Sequence, residues 1–286
     1  MRYERPETSA HAASLLAQVN ERAFVLAGGT DLLVKMQHDD FEVDLVVDIK
    51  SIEGMRDIQK GEDGFLIGAG VPCAALSEND GLSRAWPGLV EAANLIGSSQ
   101  IQGRCTVSGN LCNASPAADS VPALVAAGAQ AKIIGPDGSR LLAVEYVPKG
   151  PGMVSLARGE FIEAILLPNP QPRTGDAYER FTPRSEMDIA VAGAAVCLTL
   201  NSNGEVSAAR IVLGAVGPKV ILAEDAAQKI VGTKLDDVAL EDLAEACSSA
   251  ATPIDDKRGT IAFRKHVAGV LAKRAAKIAY NRAGEQ

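Results

Sequence analysis

Two glycine turns, Ala27-Gly28-Gly29-Thr30-Asp31 and Thr106-Val107-Ser108-Gly109-Asn110, constrain this chain more than any other feature of its sequence. Glycine lets the backbone pass through positive φ and come close to a ligand, so that successive amides point at phosphate oxygens. Thr30, Thr106 and Ser108 add hydroxyl donors. Neither turn contains a lysine or arginine, so an anion held there rests on amides and hydroxyls. The first turn follows Phe24-Val25-Leu26, which reads as a buried strand, and precedes Leu32-Leu33-Val34-Lys35-Met36, which reads as a helix whose positive end faces the turn. Either turn alone is what an ordinary tight bend looks like. Together they predict a two-sided cradle for a pyrophosphate.

The rest of the sequence narrows the class. With 286 residues, 47% of them hydrophobic, and no low-complexity tract, the chain can bury a sizeable core and is expected to hold two domains. The net charge is −8, and no basic stripe interleaved with aromatics is present, which argues against nucleic acid as a partner. The start, Met1-Arg2-Tyr3-Glu4-Arg5-Pro6, has no apolar signal core, and the longest apolar stretch, near Ala190 to Leu200, is too short to span a bilayer. A cytoplasmic chain without a membrane span is the expectation. Cys73, Cys105, Cys112, Cys197 and Cys247 form no Cys-x-x-Cys pair, and His11, His38 and His266 lie far apart, so no metal is expected on this chain. A Gly-x-Ser-x-Gly nucleophile elbow is also missing.

Alternating elements fill the first part of the chain. Thr8 to Val19 reads as a capped helix, Val43 to Ile49 and Gly64 to Gly68 as strands, and Leu89 to Ile96 as a helix. Asp119 stands at the cap position before Ser120-Val121-Pro122-Ala123-Leu124-Val125, where an early proline announces a helix. Ala129 to Ile134 then reads as a strand that turns at Pro136-Asp137-Gly138. The proline-rich Leu167-Pro168-Asn169-Pro170-Gln171-Pro172 predicts a domain boundary. Beyond it, Ile189 to Leu200 and Val206 to Val216 read as a hairpin through Asn201-Ser202-Asn203-Gly204, followed by helices over Ala223 to Val231, Leu240 to Ala250 and Thr260 to Tyr280. The mixture fits an α+β fold better than a doubly wound sheet. Gly68-Ala69-Gly70 follows a strand but lacks the third glycine of a dinucleotide fingerprint, so a Rossmann site is not expected there.

In order and spacing these motifs resemble the FAD-binding middle subunits of the molybdenum hydroxylases, such as xanthine dehydrogenase and carbon monoxide dehydrogenase. The resemblance covers essentially the whole chain. It rests on the first turn, on Ile67-Gly68-Ala69-Gly70, on Thr106 to Leu111, on Ala114-Ser115-Pro116-Ala117-Ala118-Asp119 and on Arg184-Ser185-Glu186-Met187-Asp188-Ile189-Ala190. Pro253-Ile254-Asp255-Asp256-Lys257-Arg258-Gly259, with Phe263-Arg264, completes it.

The resemblance implies a two-part FAD-binding domain of the vanillyl-alcohol-oxidase/p-cresol-methylhydroxylase type over residues 1–173, with parts of about 1–55 and 56–173. A C-terminal antiparallel sheet with a helix bundle follows over 174–286. The isoalloxazine ring is expected to reach the C-terminal domain. Implied FAD contacts are Leu26, Ala27, Gly28, Gly29, Thr30, Asp31 and Leu32, then Thr106, Val107, Ser108, Gly109 and Asn110. Ile96 and Ile162 are implied as apolar contacts, and Asp119 as an acidic one. Arg180 stands where relatives often carry lysine, which keeps the charge and changes the hydrogen-bond geometry. Arg184 and Asp188 fall in a loop expected near the flavin ring.

By composition and position alone the same residues have plainer roles: Asp119 as a helix cap, Ile96 and Ile162 as core, Arg184 and Asp188 as a surface pair. The implied function is electron transfer from [2Fe-2S] clusters of a small partner subunit, through FAD, to an external acceptor. The molybdopterin cofactor is expected on a large partner subunit, and the assembly is expected to be a dimer of heterotrimers. The alternative is a free-standing FAD-dependent oxidase of the same fold, for which the segment after the boundary holds few His or Tyr to act as acid or base.

Overall fold

The computed structural model describes residues 1–19, 22–185 and 187–285. The first unit is β1 (Arg2–Glu4), α1 (Ser9–Gln18), β2 (Ala23–Leu26), the single turn α2 (Leu32–Lys35) and β3 (Leu45–Asp48). Thr8 caps α1 by accepting from the His11 amide, and the helix buries Ala12, Ala13, Leu15 and Leu16 against the sheet. The three strands are parallel in the order β1-β3-β2, so β3 is central, buried throughout, and β2 is an edge.

The second unit begins with β4 (Ile58–Lys60) and β5 (Gly64–Gly68), then the helices α3 (Cys73–Ser77), α4 (Asp80–Ala85), α5 (Pro87–Ala93), α6 (Ser99–Gln102), α7 (Val107–Asn113) and α8 (Ser120–Ala126). It closes with β6 (Gln130–Gly135), β7 (Gly138–Ala143), the ribbon of β8 (Pro148–Gly150) and β9 (Met153–Val154), and β10 (Phe161–Pro168). The sheet order is β4-β5-β10-β6-β7, with β10 central. The sequence pattern gives no strand signal over 161–168, because these residues face core on both sides and lack alternation; the strand runs into the proline-rich passage, whose first residues Leu167 and Pro168 belong to β10.

The third unit is an antiparallel sheet, β11 (Thr174–Phe181), β12 (Ala192–Leu200), β13 (Val206–Gly214) and β14 (Ile221–Leu222), followed by α9 (Glu224–Ile230), α10 (Asp237–Ala250) and α11 (Ile261–Gly284). The expected hairpin is present, but its first strand starts at Ala192 rather than Ile189. The preceding segment turns back on itself, with Met187 at φ 53°. α11 lies on β11 and β12 through a stripe of alanines, including Ala272, Ala275, Ala276 and Ala279, which lets the backbones approach closely. At Gly175 a Cβ would stand 2.1 Å from the Ala279 carbonyl oxygen. The opposite face of this sheet is covered by α5 and α8 of the second unit, whose core takes in Tyr178, Ala195 and Val212.

A buried polar contact marks that seam. Asp176 accepts from the Gly88 and Leu89 amides, at 3.1 and 3.0 Å, at the start of α5. The two amides hold the carboxyl down, but burial outweighs them and pushes it up to about 6. Arg282 of α11 donates to the Asp176 carbonyl and to Glu91, tying the last helix to α5.

Candidate functional site

The two glycine turns meet. Gly28 packs against the chain just before α7, and a Cβ there would lie 2.2 Å from the Arg104 carbonyl oxygen and 2.9 Å from Cys105 Cα. This is the close approach for which only glycine serves. Gly29, at φ 84°, then reverses the chain into α2. Between the turns opens a cavity of about 470 Å³. Its wall includes Ala27, Gly28, Gly29, Thr30, Asp31 and Leu32 from the first turn, and Thr106, Ser108, Gly109 and Asn110 from the second. Ile96 and Ile162 add apolar wall on the second unit.

The cavity is rich in donors the protein leaves free. Among the described residues, the amides of Gly28, Gly29, Thr30 and Asp31 make no hydrogen bond. The second turn is the start of α7 rather than a loop: Thr106 caps the helix, its Oγ1 accepting from the Gly109 amide at 2.9 Å. The Asn110 amide is spent on the Thr106 carbonyl. The amides of Val107 and Ser108 stay open, and Ser108 Oγ is buried without a partner. A hydroxyl 3% exposed in a cavity wall and unpaired in the protein costs stability unless a ligand supplies its partner. Two open amide runs and an orphaned hydroxyl facing a narrow cavity are the donor set a pyrophosphate requires, so the residues present fit FAD.

The remaining expected contacts stand apart from that wall. The Val107 side chain is core behind the turn. Leu26 is the last residue of β2, its carbonyl near Lys50 Nζ at 3.5 Å. Asp119 does not cap α8. Its own backbone is already helical and its carboxylate points the other way, accepting from Tyr178 Oη at 2.9 Å and Arg180 Nη1 at 2.5 Å. Burial pushes the Asp119 carboxyl up to about 6, against the pull of Arg180 and Tyr178. One residue on, Ser120 Oγ donates to Asn110 Oδ1 at 2.7 Å, so this cluster on β11 and α8 braces the cavity turn from behind. Arg184 and Asp188 form an exposed turn, the Arg184 amide donating to Asp188 Oδ2 at 3.1 Å, outside the cavity wall. Glu186 lies outside the described residues.

Sequence reasoning missed several wall residues. Lys35 reaches the cavity from α2, its Nζ donating to Asn113 Oδ1 at 2.7 Å, and Asn113 Nδ2 donates in turn to Asp31 Oδ1 at 3.2 Å. This polar chain joins α2 to the end of α7. Its spacing of 78 and 82 residues leaves no local signal. Phe24 of β2 packs on Phe41, ring centroids 4.9 Å apart, and both line the cavity. Among the described residues no cluster of His, Cys, Asp or Glu could hold a metal ion, and no helix is long and apolar enough to cross a membrane.

Comparison with known proteins agrees with this architecture. The family described as FAD binding domain in molybdopterin dehydrogenase matches residues 1–170, and that described as CO dehydrogenase flavoprotein C-terminal domain matches 177–279. The chain is 33% identical over 285 residues to the xanthine dehydrogenase FAD-binding subunit of Escherichia coli, covering 99% of this chain and 97% of that one. It is 34% identical over 281 residues to the carbon monoxide dehydrogenase medium chain of Afipia carboxidovorans, covering 98% and 97%. Its fold superposes on a chain of reconstituted CO dehydrogenase from Oligotropha carboxidovorans with a TM-score of 0.94 at 32% identity, over 99% of this chain and 98% of that one. The α+β, two-part fold and the free amides of its cradle thus have one common explanation: the chain belongs to the family of FAD-binding flavoproteins of molybdopterin dehydrogenases.

Proposed function

We propose that this chain is the FAD-binding electron-transfer subunit of a molybdenum hydroxylase complex. The observation that carries the reading is the pair of glycine turns closing on one cavity, with open amides on both sides and Ser108 Oγ unpaired. FAD, when bound, supplies the capacity to take up and release electrons. The chain's own residues bind and orient it: the amides from Gly28 to Asp31 and of Val107 and Ser108 hold the pyrophosphate, with Thr30 and Ser108 adding hydroxyls. Ile96 and Ile162 enclose apolar ring surface. Asp119, Arg180 and Tyr178 fix the angle between the cradle and the C-terminal sheet, and the Arg184 and Asp188 turn lies toward the flavin ring. No side chain is needed as acid or base.

The division into 1–173 and 174–286 follows from this reading, with the C-terminal part shaping the ring's surroundings. The [2Fe-2S] clusters and the molybdopterin cofactor sit on small and large partner subunits, in a dimer of heterotrimers in the cytoplasm. Carbon monoxide dehydrogenase and xanthine dehydrogenase among the relatives support that division of labour. Native mass spectrometry of the protein isolated from its own host tests it. The expected result is a complex with one smaller and one much larger chain and one FAD per copy of this subunit. A lone FAD-loaded chain would favour the free-standing oxidase, and a flavin-free chain would sink the assignment.

A further inference from the structure

Five free cysteines are spread over the chain, and two of them meet. The Cys73 amide, at the start of α3, donates at 2.8 Å to the carbonyl of Cys105, just before α7. A direct bond of this kind holds two Cα atoms about 5–6 Å apart, inside the range that a disulfide spans. The two thiols are neighbours as well, with Cys73 donating to Cys105. That bond, outweighing burial and the Asp31 carboxylate, draws the Cys105 thiol below its ordinary value, while the same bond and burial hold Cys73 up. Cys73 is fully buried in the core of the second unit, whereas Cys105 lines the cavity. Cys112 shares that cavity wall, but burial alone acts on its thiol and pushes it up to about 12.

A thiol that ionises early and opens onto a cavity, with a second thiol sealed behind it, is the arrangement of an attacking and a resolving cysteine. We propose that Cys73 and Cys105 form a reversible disulfide on exposure to hydrogen peroxide, and that closing it loosens the hold of the cradle on its ligand. The Cys105 thiolate attacks one peroxide oxygen and the O–O bond breaks. Hydroxide leaves, takes up the proton the thiol gave off and becomes water, so that Cys105 is now a sulfenic acid. The Cys73 sulfur then attacks the Cys105 sulfur: the S–S bond forms, the S–O bond breaks, and a second water leaves with the Cys73 proton. In all, two thiols lose two electrons and one peroxide is reduced to two waters. Closing the bond draws the sulfurs together from contact distance, and with Cys73 locked in the core the shift falls on Cys105. Gly28 packs on that backbone, where a Cβ would stand 2.9 Å from Cys105 Cα. The spacing of the two turns, and of their open amides, therefore follows the state of the pair. The effect on FAD rests on the reading above; the disulfide itself does not.

The test uses the full chain, flavin-free and FAD-loaded, with stoichiometric hydrogen peroxide as oxidant and dithiothreitol as reductant. The flavin-free chain is expected to lose the mass of two hydrogens, to yield a cross-linked peptide pair carrying Cys73 and Cys105, and to recover all five thiols under dithiothreitol. FAD affinity, read by flavin fluorescence, is expected to fall about tenfold on oxidation and to return on reduction. By reciprocity, bound FAD should favour the dithiol by the same factor, a rise of about 30 mV in the reduction potential of the pair. Cys73→Ala is expected to stop at a Cys105 sulfenic acid, trapped by dimedone, with no cross-link; the wild-type peptide map does not depend on the folding of that variant. Oxygen added at Cys105 of the wild type without a cross-link, or a cross-link through another cysteine, would overturn the pair. A Cys73–Cys105 disulfide that leaves FAD affinity unchanged would overturn the coupling to the cradle. A reduced chain that takes up no FAD would overturn the FAD reading, while the peptide map still decides the disulfide.

Discussion

The cradle and the seam behind it are built from one stretch of chain, yet they treat polar groups in opposite ways. At Val107 and Ser108 two amides and a buried hydroxyl are left open. A dozen residues on, Asp119 is equally buried and every oxygen is engaged, one by Tyr178 and one by Arg180. Asp176 repeats the closed pattern with two amides of α5. Buried polar groups persist when a partner repays their desolvation. In the seam the partner is another part of the chain, and the result is a fixed joint. In the cradle it is left to a ligand, and the result is a binding site.

Breaking the closed side should have the largest effect. Asp119→Ala leaves the Arg180 guanidinium, 7% exposed, without its counter-ion and should cost about 3–5 kcal/mol in urea unfolding. A cost under about 1 kcal/mol would erase the contrast between seam and cradle.

The seam should also respond to pH. The Asp176 carboxyl titrates near 3.8 when unfolded and is raised to about 6 in the fold, so the folded state binds the extra proton. Stability from this group is complete below about pH 4 and is lost as pH rises through 6. The advantage of wild type over Asp176→Asn should shrink on the order of 3 kcal/mol between pH 4 and 7. An advantage that grows over that range would contradict the burial argument.

On the open side, the two glycines sharpen the comparison. Gly109→Val places a Cβ 3.0 Å from Thr106 Oγ1 and extends it toward the cavity. It should reduce flavin content at least tenfold while thermal stability changes by no more than about 1 kcal/mol. Gly28→Ala, whose Cβ meets backbone at 2.2 Å, should lower both, because that glycine joins the turns as well as facing the ligand. Flavin per chain by absorbance and unfolding by calorimetry separate the two cases.

The smallest effect is expected at Ser108. Ser108→Ala removes a buried hydroxyl that has no partner, so the flavin-free chain should be unchanged or up to about 1 kcal/mol more stable, with FAD bound several-fold more weakly. A marked loss of stability without flavin would mean that the hydroxyl is paired within the protein.

The same contrast explains what could be read in advance. The cradle was legible because it is made of backbone freedom, and glycines with neighbouring hydroxyls leave that mark in the sequence. The capped α1 and the 192–214 hairpin were legible through local pattern and turn chemistry. The seam was not, because Asp119 before a proline-bearing helix is also the ordinary sign of a cap, and its true partners lie 59 and 61 residues away. Nor was Phe24, which reads as a plain strand residue until Phe41 folds over it. Central strand β10 escaped because a strand buried on both faces has no alternation to detect.

The open edge of β2 carries a further consequence for how the chain behaves among its own copies. Unpaired strand edges invite other strands to add to them, and proteins commonly blunt them with charge, proline or brevity. Here the edge is four residues long and lies inside a concave wall closed by α7 and the β8–β9 ribbon, where a second sheet has no flat approach. The concavity that lines the cavity leaves an incoming strand no flat approach, so one piece of geometry both shapes the cavity and blunts the strand edge.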